Sequence, residues 1–352
     1  MINNFPNERM RHCETGIFVN MMKYYGYEIS EPMAFGIGAG LYFLYAPFMK
    51  VKGTIFPILR SKPTRIVGAL ADRLHFNCHI KEYGDNVEKA SRELDELIDR
   101  NIPVGIVVNV NGLPYFNASG TQSDFNGHVM CAVGKEGSTY IIADTDSRLN
   151  NNDYVNVELD VLKKIRFAPG FSAPQGKIFY FDPLPKDFEQ HLDLKKAIDS
   201  GMAETCAKIL NLPLPYYGWT GLHCFANDIR KWDKKFPEKT IHYILFWYYR
   251  LIERSGTGGA AYRFIYADFL KEAAEYLQND IIDDCAKKMS ATADKWRLFS
   301  LNCRRFLKQD NVSLTELADI MDEISDGEHQ VFYKIKHNYL KPMATLRLSF
   351  YH

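Results

Sequence analysis

The hydrophobic period changes once along this chain, and that change limits the fold more than any other feature. Before Asp182, short runs at 104–110, 128–133, 139–143 and 177–181 are rich in Val, Ile, Tyr and Phe. Gly, Asn and Asp bound them, which is the signature of strands. Two helical segments precede or separate these runs. Residues 13–25 place Ile17, Phe18, Met21, Met22 and Tyr25 on one face and end at Gly26; residues 86–100 follow an Asp85 or Asn86 cap. After Asp182-Pro183-Leu184-Pro185 only helical spacing remains, over 188–209, 222–235, 240–254, 258–278, 280–308 and 313–336. Prolines break elements, so this stretch reads as a linker. The expectation is an α+β architecture: a mixed helix–sheet domain over residues 1–185 and an all-helical domain over 186–352.

Composition narrows the function classes. A chain of 352 residues has ample apolar material for two cores. Its 43 basic and 43 acidic side chains cancel, and no Lys or Arg run stands out. That leaves no field for holding nucleic acid, so no nucleic-acid partner is expected. Seven cysteines without paired spacing indicate reduced thiols rather than a disulfide scaffold. The first residues lack a basic segment followed by an apolar one, so no secretory signal is expected. Residues 32–49 carry no charge and approach bilayer-spanning length. However, Pro32, Pro47, Gly36, Gly38 and Gly40 would weaken a lipid-exposed helix, so a buried turn beside a core helix is expected instead. The chain reads as cytoplasmic with no membrane partner.

Two segments carry chemistry. Cys13 falls at the start of the first helix, where the helix dipole and free N–H groups favour a thiolate and can receive an oxyanion. Gly127-His128-Val129 through Ala143-Asp144 reads as a hairpin with Gly134 and Gly137 at its turn. A turn centred on Glu136 would set Val133 opposite Thr139 and His128 opposite Asp144, an imidazole beside a carboxylate. A cysteine nucleophile needs such a base and its orienting partner. Alone, the pair also fits a plain His–Asp contact at a sheet edge. Cys, His and Asp in that chain order, helix start first and hairpin later, form the papain-type arrangement.

The segments Arg11-His12-Cys13-Glu14-Thr15-Gly16, Tyr25-Gly26-Tyr27-Glu28-Ile29-Ser30-Glu31 and Phe35-Gly36-Ile37-Gly38-Ala39-Gly40-Leu41-Tyr42-Phe43 resemble the N-terminal domain of the butirosin biosynthesis protein H family. That domain is similar to bacteriocin-leader cysteine peptidases of papain-like fold. The stretch from Ile252 through Arg263, then Tyr266-Ala267-Asp268-Phe269-Leu270 and Trp296, resembles the helical domain that usually follows. The resemblance implies an acyltransferase of antibiotic or other specialised metabolism. It would move an acyl or aminoacyl group from an acyl carrier protein or other thioester donor to a small-molecule amine. Cys13 would take the acyl group, His128 shuttle protons and Asp144 orient His128. A cysteine hydrolase on the same residues, or a binding protein that keeps the fold, are the other readings.

Weaker signals remain. Asn7 precedes Cys13 at the spacing where papain-like enzymes carry an oxyanion-hole Gln. His12 would tune the thiol or touch substrate, and Glu31 would pair with a buried donor or with substrate. The Gly36, Gly38, Gly40 run lacks the context of a phosphate loop, so close backbone approach near the active site is expected. Gly256-Thr257-Gly258-Gly259 would bring backbone towards a cleft, with Gly258, Tyr262 and Arg263 facing substrate. His75, Cys78 and His79 lack a fourth ligand, so no metal is expected, and no motif calls for a cofactor.

Overall fold

The structure, a computed structural model, describes residues 1–48, 50–51, 54–117, 124–211, 214–254 and 257–340. By contacts the chain divides into two compact units. One is Met1–Gly38 with Ser61–Leu194; the other is Ala39–Arg60 with the chain from Lys195 onward. A single cut near residue 185 was expected. Instead, a piece of the first half belongs to the helical unit.

The first unit is built on a six-stranded antiparallel sheet. Its strands are β1 (Cys78–Lys81), β2 (Val104–Asn109), β3 (Asn126–Glu136), β4 (Thr139–Ala143), β5 (Tyr154–Glu158) and β6 (Ile178–Phe181), in the spatial order β1-β6-β2-β3-β4-β5. Strand β2 is buried along its whole length, as its unbroken Val-Gly-Ile-Val-Val run requires. The Phe179 ring fills the space over Gly105, its paired residue, and leaves no room there for a Cβ. Helices α1 (Cys13–Tyr24), α2 (Glu31–Ile37), α3 (Arg65–Leu74), α4 (Val87–Asp99), α5 (Pro114–Asn117) and α6 (Leu159–Arg166) complete the unit. The amphipathic α4 presents Leu94, Leu97 and Ile98 to Val104, Ile106, Met130 and Ile142 of the sheet.

The β3–β4 hairpin departs from the expected register. Glu136 pairs with Thr139, so the turn is the two residues Gly137-Ser138, with Gly137 at φ 59°. Gly134 lies in the strand, not in the turn. Gly134 faces Ile141 and Ala132 faces Ile142, so Val133 is an extra residue, a β-bulge. The bulge is held from outside: Ile2 N–H donates to the Val133 carbonyl at 2.6 Å. A Cβ on Gly134 would come within 2.7 Å of the Met1 Cα.

The charge-free stretch is also structured differently from the turn expected. It comprises the short α2 and a strand at Leu41–Leu44, and a Cβ on Gly38 would strike Ile66 at 2.4 Å. The glycine thus serves close α2–α3 packing. Among the described residues no helix is long and apolar enough to cross a membrane.

The second unit contains α7 (Leu194–Leu210), α8 (Gly218–Ile229), α9 (Trp232–Lys235), α10 (Glu238–Glu253), α11 (Arg263–Leu277), α12 (Asp280–Leu307) and α13 (Leu314–Lys334). The strands Leu41–Leu44 and Ile58–Arg60 pair antiparallel within it. Tyr45 donates its hydroxyl to Asp228 at 2.5 Å, and Tyr248 donates to the Ile55 carbonyl at 2.7 Å. Phe43 packs on Trp296 and Tyr45 on Phe225.

Candidate active site

Cys13 is the first residue of α1, and its thiol is half-buried. His12 before it is the N-cap, with Nδ1 accepting the Thr15 N–H at 3.3 Å and the ring edge-on to Phe35. His12 is fully buried. Its observed work is to start the helix, not to face substrate. Glu31, the first residue of α2, accepts the His12 N–H at 2.7 Å and the Arg11 guanidinium at 3.3 Å. Burial raises the Glu31 carboxyl above its ordinary range, while the N–H groups of His12 and Arg11 and the Arg11 charge pull the other way. Glu31 thereby clamps the backbone immediately ahead of Cys13. On the other side, Glu14 is fully buried and accepts both Ile66 N–H and Val67 N–H at 3.1 Å. Thr64, the N-cap of α3, makes no side-chain cap. Glu14 therefore caps α3 from α1 and fixes the two helix starts together.

His128 stands on β3 and Asp144 follows the end of β4. Carrying the Cys131–Ala143 register three residues further sets position 146 opposite His128, two past Asp144. An offset of two keeps both side chains on one face of the sheet. The turn register alone, Glu136 with Thr139, would have set 147 opposite and put Asp144 on the other face. The bulge at Val133 restores the parity. His128 Nε2 lies 2.8 Å from Asp144 Oδ2, with His128 5% exposed and Asp144 0%. Cys13 is the other side chain that acts on the imidazole. Burial pushes the imidazole pKa down; the Asp144 charge and hydrogen bond, together with Cys13, outweigh it and raise His128 to about 10. Asp144 is held below the usual carboxylate range: burial opposes this, but His128, Tyr115 and the Asp146 N–H prevail.

Sequence reasoning missed the support around this pair. Tyr115, on the four-residue α5, donates its hydroxyl to Asp144 Oδ2. Burial first, then the Asp144 charge, raise the phenol well above its ordinary value, so it stays a donor. Phe116 beside it packs edge-on against His128, ring centres 5.1 Å apart, and carries the Arg148 guanidinium on its face. The only signal for α5 was Pro114 at a first helical position, which says nothing about what Tyr115 would reach.

The remaining expected residues lie elsewhere. The Asn7 amide donates to the Asp153 carbonyl at 2.6 Å and is buried, which ties down the N-terminal segment rather than offering an oxyanion donor. Arg263 is fully buried inside the helical unit, with Nε and Nη2 on the two oxygens of Glu328 at 2.8 and 3.2 Å and the guanidinium over Trp296. A guanidinium so committed does not face substrate. Gly258 and Gly259 have φ of 64° and 84°, and Ala260, Ala261 and Tyr262 continue in the left-handed region. The strain is offset where Glu253 accepts Ala260 N–H at 3.1 Å and Arg263 Nη1 donates to Ala261 O at 2.8 Å. Ser255 and Gly256 lie outside the described residues. His79 pairs with Asp182 at 3.0 Å, and among the described residues no three His, Cys, Asp or Glu side chains gather as a metal site.

The family model for the butirosin biosynthesis protein H N-terminal domain matches residues 12–145, a span that includes Cys13, His128 and Asp144. Over those residues the chain is similar to that N-terminal domain. A second model, a domain of unknown function (DUF4872), matches residues 160–335. That second match begins within the sheet-containing unit and includes β6. No curated protein matches the chain.

Proposed function

We propose that this protein is a cysteine-dependent acyltransferase, with Cys13 as nucleophile, His128 as proton shuttle and Asp144 as its orienting carboxylate. The observation that carries the reading is the buried His128–Asp144 hydrogen bond, with Cys13 at a helix start acting on the same imidazole. The sheet-containing unit is read as a papain-like catalytic domain, and the unit from Lys195 onward as its helical companion. The N-terminal match supports a role in antibiotic or related specialised metabolism. All seven cysteines are free thiols, which suits the reducing cytoplasm.

In this mechanism the Cys13 thiolate attacks the carbonyl of a thioester, such as one on an acyl carrier protein. The donor C–S bond breaks, and the leaving thiolate takes the proton from the His128 imidazolium. The acyl group is then a thioester on Cys13. A small-molecule amine attacks that carbonyl, His128 accepts the amine proton, and the Cys13 thiolate departs as the amide forms. N–H dipoles at the start of α1 would stabilise the oxyanion in both steps.

The test is to incubate the protein with acyl thioesters and a panel of amines, then to follow amide by mass spectrometry. Amide and a Cys13-acyl adduct are expected, and both should vanish in Cys13→Ala. Amide formation unchanged in Cys13→Ala would overturn the acyl-cysteine route. Free acid formed at the same rate with or without amine would make the protein a hydrolase on the same residues.

A further inference from the structure

One short helix supplies both groups that flank the His128–Asp144 pair. Tyr115 bonds Asp144 and Phe116 packs on His128. The carboxylate is fully engaged. Oδ1 accepts the Asp146 N–H at 3.0 Å, and Oδ2 takes both the Tyr115 hydroxyl and His128 Nε2. Two donors therefore share one oxygen. From this we infer that Tyr115 is a positioning residue that competes with His128 for Asp144 Oδ2 and so limits how firmly Asp144 holds the imidazolium. This rests on the acyl-transfer reading of the site.

A carboxylate oxygen has a fixed amount of charge to offer its donors. Charge drawn by the phenol is unavailable to the imidazolium, so His128 releases its proton more readily than it would opposite an unshared Asp144. A base gripped too tightly would stay protonated and fail to take the amine proton. Removing the phenol should not free the carboxylate, because Oδ1 keeps the Asp146 N–H. The loop from Asp144 is further fixed by Asp146 accepting Arg148 N–H at 2.9 Å and pairing with its guanidinium at 2.7 Å. The other charged groups acting on the pair are Cys13, which acts on His128, Arg9, which feels Asp144, Asp146 and Tyr115, and Arg148, which acts on Tyr115. Removing the Tyr115 hydroxyl leaves all of these charges in place. The ring of Phe at position 115 would keep the packing against Phe116.

The experiment follows the Cε1–H resonance of His128 in histidine-labelled full-length protein, assigned by its loss in His128→Asn. Tyr115→Phe is expected to move the His128 titration to higher pH by about one unit, the scale of one charge-assisted hydrogen bond. Placing 3-fluorotyrosine at position 115 makes the phenol a stronger donor and should move the titration the opposite way, which a purely structural role would not do. A titration unmoved or lowered in Tyr115→Phe overturns the inference, as does an unmoved or raised one with 3-fluorotyrosine. Cys13→Ala reports separately on the parent reading: an unchanged His128 titration in that variant overturns the Cys13–His128 pairing, whatever Tyr115→Phe does.

Discussion

Asp144 is the residue on which the site's electrostatics turn. It is completely buried, yet remains a carboxylate because His128, Tyr115 and the Asp146 N–H together outweigh its desolvation. Asp144→Asn would keep the shape and remove the charge. By analogy with other triads, activity should fall roughly 10²–10⁴-fold. The same pair makes stability depend on pH. His128 is raised in the fold, so its contribution is complete below the ordinary histidine value and is lost as pH rises towards about 10. Asp144 is lowered, so its contribution is present above the ordinary carboxylate value and is lost as acid protonates it. Urea midpoints at pH 5.5, 7 and 9.5 should therefore fall with rising pH in the wild type and do so less in Asp144→Asn; parallel slopes would contradict this. The placement of Cys13 at a helix start and of His128 beside Asp144 was legible in the sequence because residue type, helix start and hairpin are local signals. Tyr115 and Glu14 were not. Each acts across the fold, on Asp144 and on the start of α3, and nothing near them in sequence names that target.

The β3–β4 hairpin shows how an element can be right and its register wrong. The strands and their order were readable from alternation and glycines, but the turn is tighter than expected and Val133 is bulged. These two departures leave an even offset, so His128 and Asp144 still share a face. The bulge was invisible in the sequence because its anchor is far away along the chain, with Ile2 N–H on the Val133 carbonyl. Gly134 makes that anchor sterically possible, since a Cβ there would lie 2.7 Å from the Met1 Cα. Gly134→Ala should displace the N-terminal residues and cost about 1–3 kcal/mol, the range of overpacking in a filled site. Expected readouts are a lower melting temperature and faster amide exchange at Ile2. An unchanged melting temperature with Ile2 still protected would show that the terminus does not hold the bulge.

At the scale of the whole molecule, the chain is threaded rather than simply cut in two. The helical half was legible from its period, and the last segment of the sheet-containing unit ends at Leu194. What no local pattern revealed is that Ala39–Arg60 leaves that unit and joins the helical one. Its Leu41, Phe43 and Tyr45 are completely buried, and Phe43 and Tyr45 pack on Trp296 and Phe225. A fragment ending at residue 194 keeps these side chains and loses the helices that cover them. Leu41 through Tyr45 would then be a short, β-prone, uncharged segment in the open, the composition that drives aggregation. The 1–194 fragment should accordingly be insoluble or self-associated. Replacing Leu41, Phe43 and Tyr45 with serine within that fragment should raise its soluble yield, while the same three changes in the full chain should lower its melting temperature. The two opposite outcomes separate exposure from loss of packing. A 1–194 fragment that is monomeric by light scattering without the replacements would show that the segment finds other cover, and that the division at 194 is a domain boundary in solution.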